Sequence, residues 1–434
     1  MKKLNSKNTV MLFAFLLSFS MQSCLKDKAT KTYKVYAPVT ESLSSIKSKI
    51  KNSSPQSISQ IGKISVLNNY IFLVSPNKGI HIIDNSNTSA PVNKSFIVLP
   101  GCYDIAITGN ILYADCYSDL VAIDISNPTS VKIVKSILNQ FPDKRSAYGY
   151  FVDSTQAIVD WAIKDTVVKQ SVENPNDYIY GRGGGIYYLN DISASVNSSS
   201  SGKNVGTNGS MARFAILNNY LYTVSTSTLS CIKIANPQDP IVASQLAIGW
   251  NIETIYPFKD KLFIGSQTGM NIYDVKNPSV PVYLTGFSHA RVCDPVIADS
   301  NYAYVTLHSD ATDNNNNNTT FISLRCTGGT TNELDVLDIS NLSQVKQIQQ
   351  YILTRPNGLG KEGNTLIVCD GSDGLKIFDA SDPSNLILKQ KIALANTYDV
   401  ICMDGVALVS TANAFYQYDY SDINNVKLLS KLSF

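Results

Sequence analysis

From residue 61 to the end, short apolar runs alternate with polar breaks in a pattern that predicts strands rather than helices. Leu67-Asn68-Asn69-Tyr70-Ile71-Phe72 places an Asn-Asn pair between two apolar runs, the signal of a two-residue hairpin. Residues 216–222 repeat that word almost letter for letter, and 107–113, 258–263, 299–304, 362–366 and 403–408 are variants. Each hairpin leads into a further strand that ends near an Asp: Asp84, Asp124, Asp274, Asp338, Asp379 and Asp419. Ala235 fills that slot in Ile234-Ala235-Asn236-Pro237, and Asp191 marks a weaker copy.

Five of the seven spacings between these marks lie between 39 and 44 residues. The other two, 67 and 64, carry insertions at roughly 165–208 and 308–332. A period of about 40 with four short strands per unit predicts an all-β propeller, and a β-solenoid would repeat at shorter intervals. Eight marks predict eight four-stranded blades. Seven is the alternative, because the third unit, between about 146 and 208, is degenerate. Both terminal units hold four candidate strands, so closure is expected to rest on face-to-face packing of the first and last blades, with Leu428, Leu429 and Leu432 contributing.

The start of the chain reads differently. Lys2, Lys3 and Lys7 precede an apolar core at 10–17 that is too short to span a bilayer, as in an export signal over 1–23. Ser23-Cys24 directly follows and resembles a bacterial lipobox, so Cys24 is expected to be acylated after cleavage. An ordinary signal with an incidental Cys is the alternative. Residues 24–60 read as a tether and strap, with a strand over 33–39 and a short helix over 41–51. The propeller is assigned 61–434. Removing 1–23 removes three lysines and no acid, which takes the net charge from +2 to −1. A near-neutral chain argues against a nucleic-acid partner.

Gly374-Leu375-Lys376-Ile377-Phe378-Asp379-Ala380-Ser381-Asp382-Pro383, with the words at 121–128 and 270–278, resembles the LVIVD repeat of bacterial propeller lipoproteins. The resemblance runs over about 61–434 and suits the leader as well. It implies a lipid-anchored protein of the cell envelope, with the outer membrane of a Gram-negative bacterium as the expected location. It implies no particular activity.

The recurring Asp, followed by Ser or Asn and then Pro, suits a turn in which the carboxylate caps backbone N–H groups. Candidate chemistry lies elsewhere. Counting back from each first hairpin of a blade reaches Lys63, Asp104, Arg213, Glu253, Asp294, Asn357 and Asp399, polar residues where inner strands begin. Tyr103, Trp250, His289, Arg291, Arg355 and Tyr398 lie nearby. Such a ring suits a small polar ligand at the channel mouth. Alternatively, its charges satisfy one another. Both insertions are expected in connections between the second and third strands of a blade. The glycines of 181–185 lack the strand, helix and Lys-Ser/Thr context of a phosphate loop.

Eight cysteines and three histidines form no CxxC or Cys/His cluster, so no metal or cofactor is expected. Cys293 and Cys326 are the candidate disulfide, and Cys102, Cys116, Cys231, Cys369 and Cys402 read as small buried residues. No nucleophile–base motif appears. Two functions follow as alternatives. One is a non-enzymatic binding or scaffold module for a protein, glycan or small ligand. The other is an envelope hydrolase or lyase working at the channel mouth.

Each buried acyl CH₂ contributes about 0.8 kcal/mol to membrane binding. Cys24→Ser should therefore shift the protein from the membrane to the soluble fraction and remove the acyl mass from its N-terminus. Unchanged fractionation with an unchanged N-terminal mass would exclude the anchor.

Overall fold

The computed structural model describes residues 28–171, 205, 207–288, 295–309 and 332–434. The chain divides into two compact units. In one, the long strands Lys28–Ser42 and Gln156–Ser171 pair into a two-stranded ribbon. The other is the propeller.

Its blades span 64–98, 105–137, 214–247, 252–288, 296–352, 359–392 and 397–433, each with four antiparallel strands in sequence order. We letter these strands A to D from the channel outwards. The blades number seven, not eight. In the degenerate third unit, Ser146–Ala147 pairs with Tyr150–Phe151, and Gln156–Ser171 belongs to the ribbon. The weak word around Asp191 lies outside the described residues. The ring has no room for an eighth blade there, because blade 2 packs directly on blade 3. Ala106, Tyr113 and Ala122 share one core with Phe214, Leu221 and Ile232.

Local chemistry fixes each blade. The hairpin turns between strands A and B need left-handed backbone, and Asn68, Gly109, Asn218, Lys259, Gly363 and Asp404 supply it with φ between 51° and 55°. The recurring Asp is a turn residue, as its sequence context suggested. The Oδ1 atoms of Asp84, Asp124, Asp274, Asp338, Asp379 and Asp419 each accept the backbone N–H two residues on, at 2.8–3.1 Å. Serine hydroxyls that also donate to Asp84 and Asp419 help hold these carboxyls below their ordinary range.

These turns also join the blades. The hydroxyl of Tyr113 donates to Pro237 O at 2.7 Å, and that of Tyr222 to Pro278 O at 3.0 Å. Ser95 Oγ reaches Pro128 O at 2.9 Å, and Ser244 Oγ reaches Ser279 O at 2.6 Å. Each of these side chains grips the turn of the next blade. Every blade carries a β-bulge between strands C and D. A bulge at this position twists the outer edge and blunts it against pairing with another chain.

The strap covers blade 1. Ser42 caps the short helix Leu43–Ser48 by accepting Ser45 N–H at 3.2 Å, and Leu43 and Ile46 are buried. Lys51–Ser53 then adds a strand outside strand D of blade 1. Asn52 Nδ2 donates to Pro128 O at 2.8 Å, and its Oδ1 accepts Val131 N–H, which ties blade 1 to blade 2. The leader strand, expected over 33–39, is part of Lys28–Ser42 and pairs with Gln156–Ser171 rather than with blade 7.

Closure runs between blades 7 and 1 with both sheets complete. Ile64, Ile71, Leu73 and Ile83 pack on Ile401, Leu408 and Phe415, with Leu432 and Phe434 alongside. Leu428, by contrast, is exposed. At one end of the seam, Asn85 and Gln417 exchange two amide hydrogen bonds of 3.0 and 2.7 Å. Gln417→Ala should destabilise the protein by about 1–3 kcal/mol, because it strands the Asn85 amide. In urea unfolding, Asn85→Ala with Gln417→Ala should cost less than the two single changes together. Strict additivity would mean that the pair does not bridge the seam.

Candidate functional site

The polar ring lies where the inner strands begin. Lys63, Asp104, Arg213, Asn357 and Gly358 immediately precede or closely approach strand A of blades 1, 2, 3 and 6, while Glu253 and Asp399 stand in the first turn of pleat of blades 4 and 7. Tyr103 and Tyr398 neighbour Asp104 and Asp399 in sequence. His289, Arg291 and Asp294 lie outside the described residues, as do Cys293 and Cys326.

Residues 207–213 run through this ring, which the sequence reading did not anticipate. Thr207 and Asn208 pair with Val66 and Ser65 along the inner edge of blade 1. Asn208 Nδ2 donates to Ile105 O of blade 2 at 3.1 Å. Ser210 Oγ accepts Leu359 N–H of blade 6 at 2.7 Å and lies 3.5 Å from Asp399 Oδ1 of blade 7. Met211 O accepts from Lys63 Nζ of blade 1, and Ala212 O accepts Ile255 N–H of blade 4 at 2.9 Å. The segment thus touches blades 1, 2, 4, 6 and 7 before opening blade 3. Its sequence, Thr207-Asn208-Gly209-Ser210-Met211-Ala212-Arg213, carries no periodic signal, so nothing in the sequence distinguished it from an ordinary loop.

The ring is tightly knit. Lys63 Nζ lies 3.5 Å from Asp104 Oδ2, which also accepts Arg213 N–H at 3.1 Å. Arg213 directs its guanidinium to Ile252 O and Glu253 O at 3.4 Å, and Gln267 Nε2 donates to Glu253 Oε1 at 3.0 Å. Asn357 Nδ2 donates to Thr397 O at 2.9 Å. A Cβ on Gly358 would meet Asp399 Oδ1 at 2.2 Å, so glycine permits the close approach of blades 6 and 7. Burial, ahead of the Asp115 charge, lifts the Asp104 carboxyl to about 6 against the pull of Lys63. Burial also lowers Lys63 below the ordinary lysine range, outweighing the attraction of Asp104.

Further buried carboxylates staple the entries to the inner strands. Asp115 Oδ1 accepts the N–H groups of Tyr103 and Asp104, both at 2.8 Å, and its other oxygen meets Lys144. Asp370 repeats the arrangement in blade 6, holding Arg355 N–H at 2.7 Å and Lys376 Nζ at 2.5 Å. Asp115, directly after the apolar run Ile111-Leu112-Tyr113-Ala114 and inside the same strand, was the available sequence signal. A cavity of about 20 Å³ lies beside Asp104, Asp115, Asp143 and Lys144. It has room for about one water molecule.

The first insertion joins strand D of blade 2 to strand A of blade 3, rather than strands B and C as expected, whereas the second does run between strands B and C of blade 5. Cys102, Cys116, Cys231, Cys369 and Cys402 are buried. Burial pushes the Cys116 thiol up to about 12, which suppresses the reactive thiolate. Among the described residues, no group of three or more His, Cys, Asp or Glu converges as a metal site would.

Against known proteins, the LVIVD repeat model matches residues 60–97, 102–139, 328–352 and 362–393, which fall in blades 1, 2, 5 and 6. Among solved structures, the computationally designed Ika8 protein is 8% identical, over 88% of this chain and 89% of its own, with a TM-score of 0.50. A chain of the mitotic checkpoint complex is 7% identical, over 83% and 87%, also at 0.50. A Lactobacillus plantarum protein is 10% identical, over 79% and 87%, at 0.47. A search of the curated proteins finds no match. The chain is therefore a seven-bladed β-propeller built with LVIVD repeats.

His81 shows how the core treats a titratable group. It is buried in strand C of blade 1, edge-on to Phe96 at 4.6 Å, and neither ring nitrogen has a partner among the described residues. Burial lowers it to about 4 from an ordinary 6.5. The unfolded chain therefore binds its proton first on acidification. The stability of the neutral form is complete above pH 6.5 and is lost as pH falls toward 4, by about 3 kcal/mol in all. His81→Phe should remove that loss, so urea unfolding of the two proteins should diverge between pH 6.5 and 4. Parallel pH profiles would contradict the assignment.

Proposed function

We propose that this protein is a lipid-anchored propeller of the cell envelope that acts as a non-enzymatic binding or scaffold module for a protein partner. The observation that carries this reading is the filled channel mouth. Among the described residues, Lys63, Asp104 and Asp399 of the ring each bond to residues 210–213, and the cavity beside Asp104 is about 20 Å³. The leader supports the envelope setting, through its export signal and the lipobox-like Cys24.

The outer surface supports a docking role. Leu138 is 67% exposed, Phe151 and Trp250 are each 81% exposed, and Ile352 is 78% exposed. All four stand at connections from strand D of one blade to strand A of the next, a set of loops that a propeller gathers on one face. Trp and other large aromatics are the usual anchors of protein interfaces. The coupled Lys63–Asp104 pair favours the enzymatic alternative, since shifted acid–base pairs mark active sites. Both members are buried, however, and the lysine is engaged by the segment that fills the mouth.

Phe151→Ala with Trp250→Ala should abolish co-purification of the partner from native envelopes at an unchanged melting temperature. Retained capture would exclude this face. Turnover of any substrate that is lost in Arg213→Ala would instead establish the enzyme.

A further inference from the structure

The ring that reads as a ligand site in the sequence is occupied by the chain itself, and the contact is built around one incompletely satisfied carboxylate. Asp104 is 3% exposed. Its Oδ2 accepts from Arg213 N–H and faces Lys63, while its Oδ1 has no hydrogen-bond partner among the described residues. Asp104 lines the small cavity, together with Asp143, whose Oδ1 is likewise without a partner. A proton placed on Asp104 Oδ1 would leave Oδ2 able to accept Arg213 N–H and would remove the buried charge, at the expense of its attraction to Lys63.

We propose that residues 207–213 form a proton-linked latch over the channel mouth, tightened when Asp104 takes up a proton and loosened when it gives one up. The inference is independent of the proposed docking role. Its physical basis is the cost of keeping a carboxylate dry. Lys63 and Arg213 favour the ionised form, whereas burial and the charge of Asp115 oppose it. Lys144, Asp143 and Asp399 complete the charged surroundings, with Lys144 bound to Asp115 and Asp399 next to Ser210. The balance stands at about 6, against 3.8 for a hydrated Asp. Closing the latch therefore binds a proton in the window between those values. The closed state is favoured at the acid end and loses that advantage as pH rises through 6. Opening would hydrate Asp104, free Lys63 from Met211 O, and bare the inner edge of blade 1 at Ser65 and Val66. A polar ligand or an extended peptide could then reach the ring.

The test is hydrogen exchange of the full protein at pH 5 and pH 7, corrected for intrinsic rates, with strand B of blade 6 (Thr365–Cys369) as internal control. Protection of 207–213 should fall about tenfold between the two pH values while the control stays constant, as one proton with these two affinities requires. Asp104→Asn, which imitates the protonated acid, should keep the higher protection at both. Flat protection of 207–213 in the wild type overturns the proposal, as does an equal fall in the control or a retained fall in Asp104→Asn. If Asp104→Asn does not fold, the comparison of segment and control within the wild type decides alone.

Discussion

Each blade is a sheet with two apolar faces and no way to bury either by itself. That constraint shapes the whole propeller. Strands B and C are buried along nearly their full length in every blade, and their side chains fill cores shared with the neighbours on either side. The arrangement is stable only as a closed ring, because an open one would leave a face such as that of Ile401, Leu408 and Phe415 in water. Burying one large apolar side chain contributes about 1.5–3 kcal/mol, so a bare seam of this size would outweigh any single polar contact described above.

Ring closure in turn creates the problem that the channel mouth solves. Seven inner strands begin around one channel, and their first N–H and C=O groups need partners wherever burial removes them from water. Buried carboxylates meet part of this need. Asp115 and Asp370 each cap two backbone N–H groups and take a lysine on the remaining oxygen. Residues 207–213 meet another part by reaching inward and bonding to several blades. Glu362 plays a comparable role at the opposite end of strand A of blade 6, accepting from Asp404 N–H, Gly405 N–H and the Tyr420 hydroxyl of blade 7. Polar groups here are organised by the closure of an apolar ring, and their shifted protonation is a consequence of that burial.

The same division separates interior from surface. The turns that repeat along the chain are consumed by architecture, since an Asx cap shapes each turn and, in blades 2, 3 and 4, side chains of the preceding blade hold its carbonyls. The variable connections from strand D to strand A escape that duty. The large exposed side chains discussed above stand there, and so does the long insertion that supplies both a ribbon strand and the segment filling the mouth.

The sequence by itself determined the blade. Hairpin words, Asp-containing turns and a period near 40 located strands such as Ile64–Leu67 and Val406–Thr411 nearly to the residue, because those signals are local and depend on turn chemistry and alternation. It also placed Lys63, Asp104, Arg213, Glu253, Asn357 and Asp399 near the starts of inner strands, because each stands five or six residues before a hairpin. Only the tertiary structure decided how many blades close the ring. A degenerate unit of about the right length looks like a blade until blade 2 is seen packed against blade 3. Only the tertiary structure, too, showed what the ring holds. The partners of Lys63, Asp104 and Leu359 come from residues 207–213, far from each in sequence, and contacts at that separation leave no periodic trace in the chain.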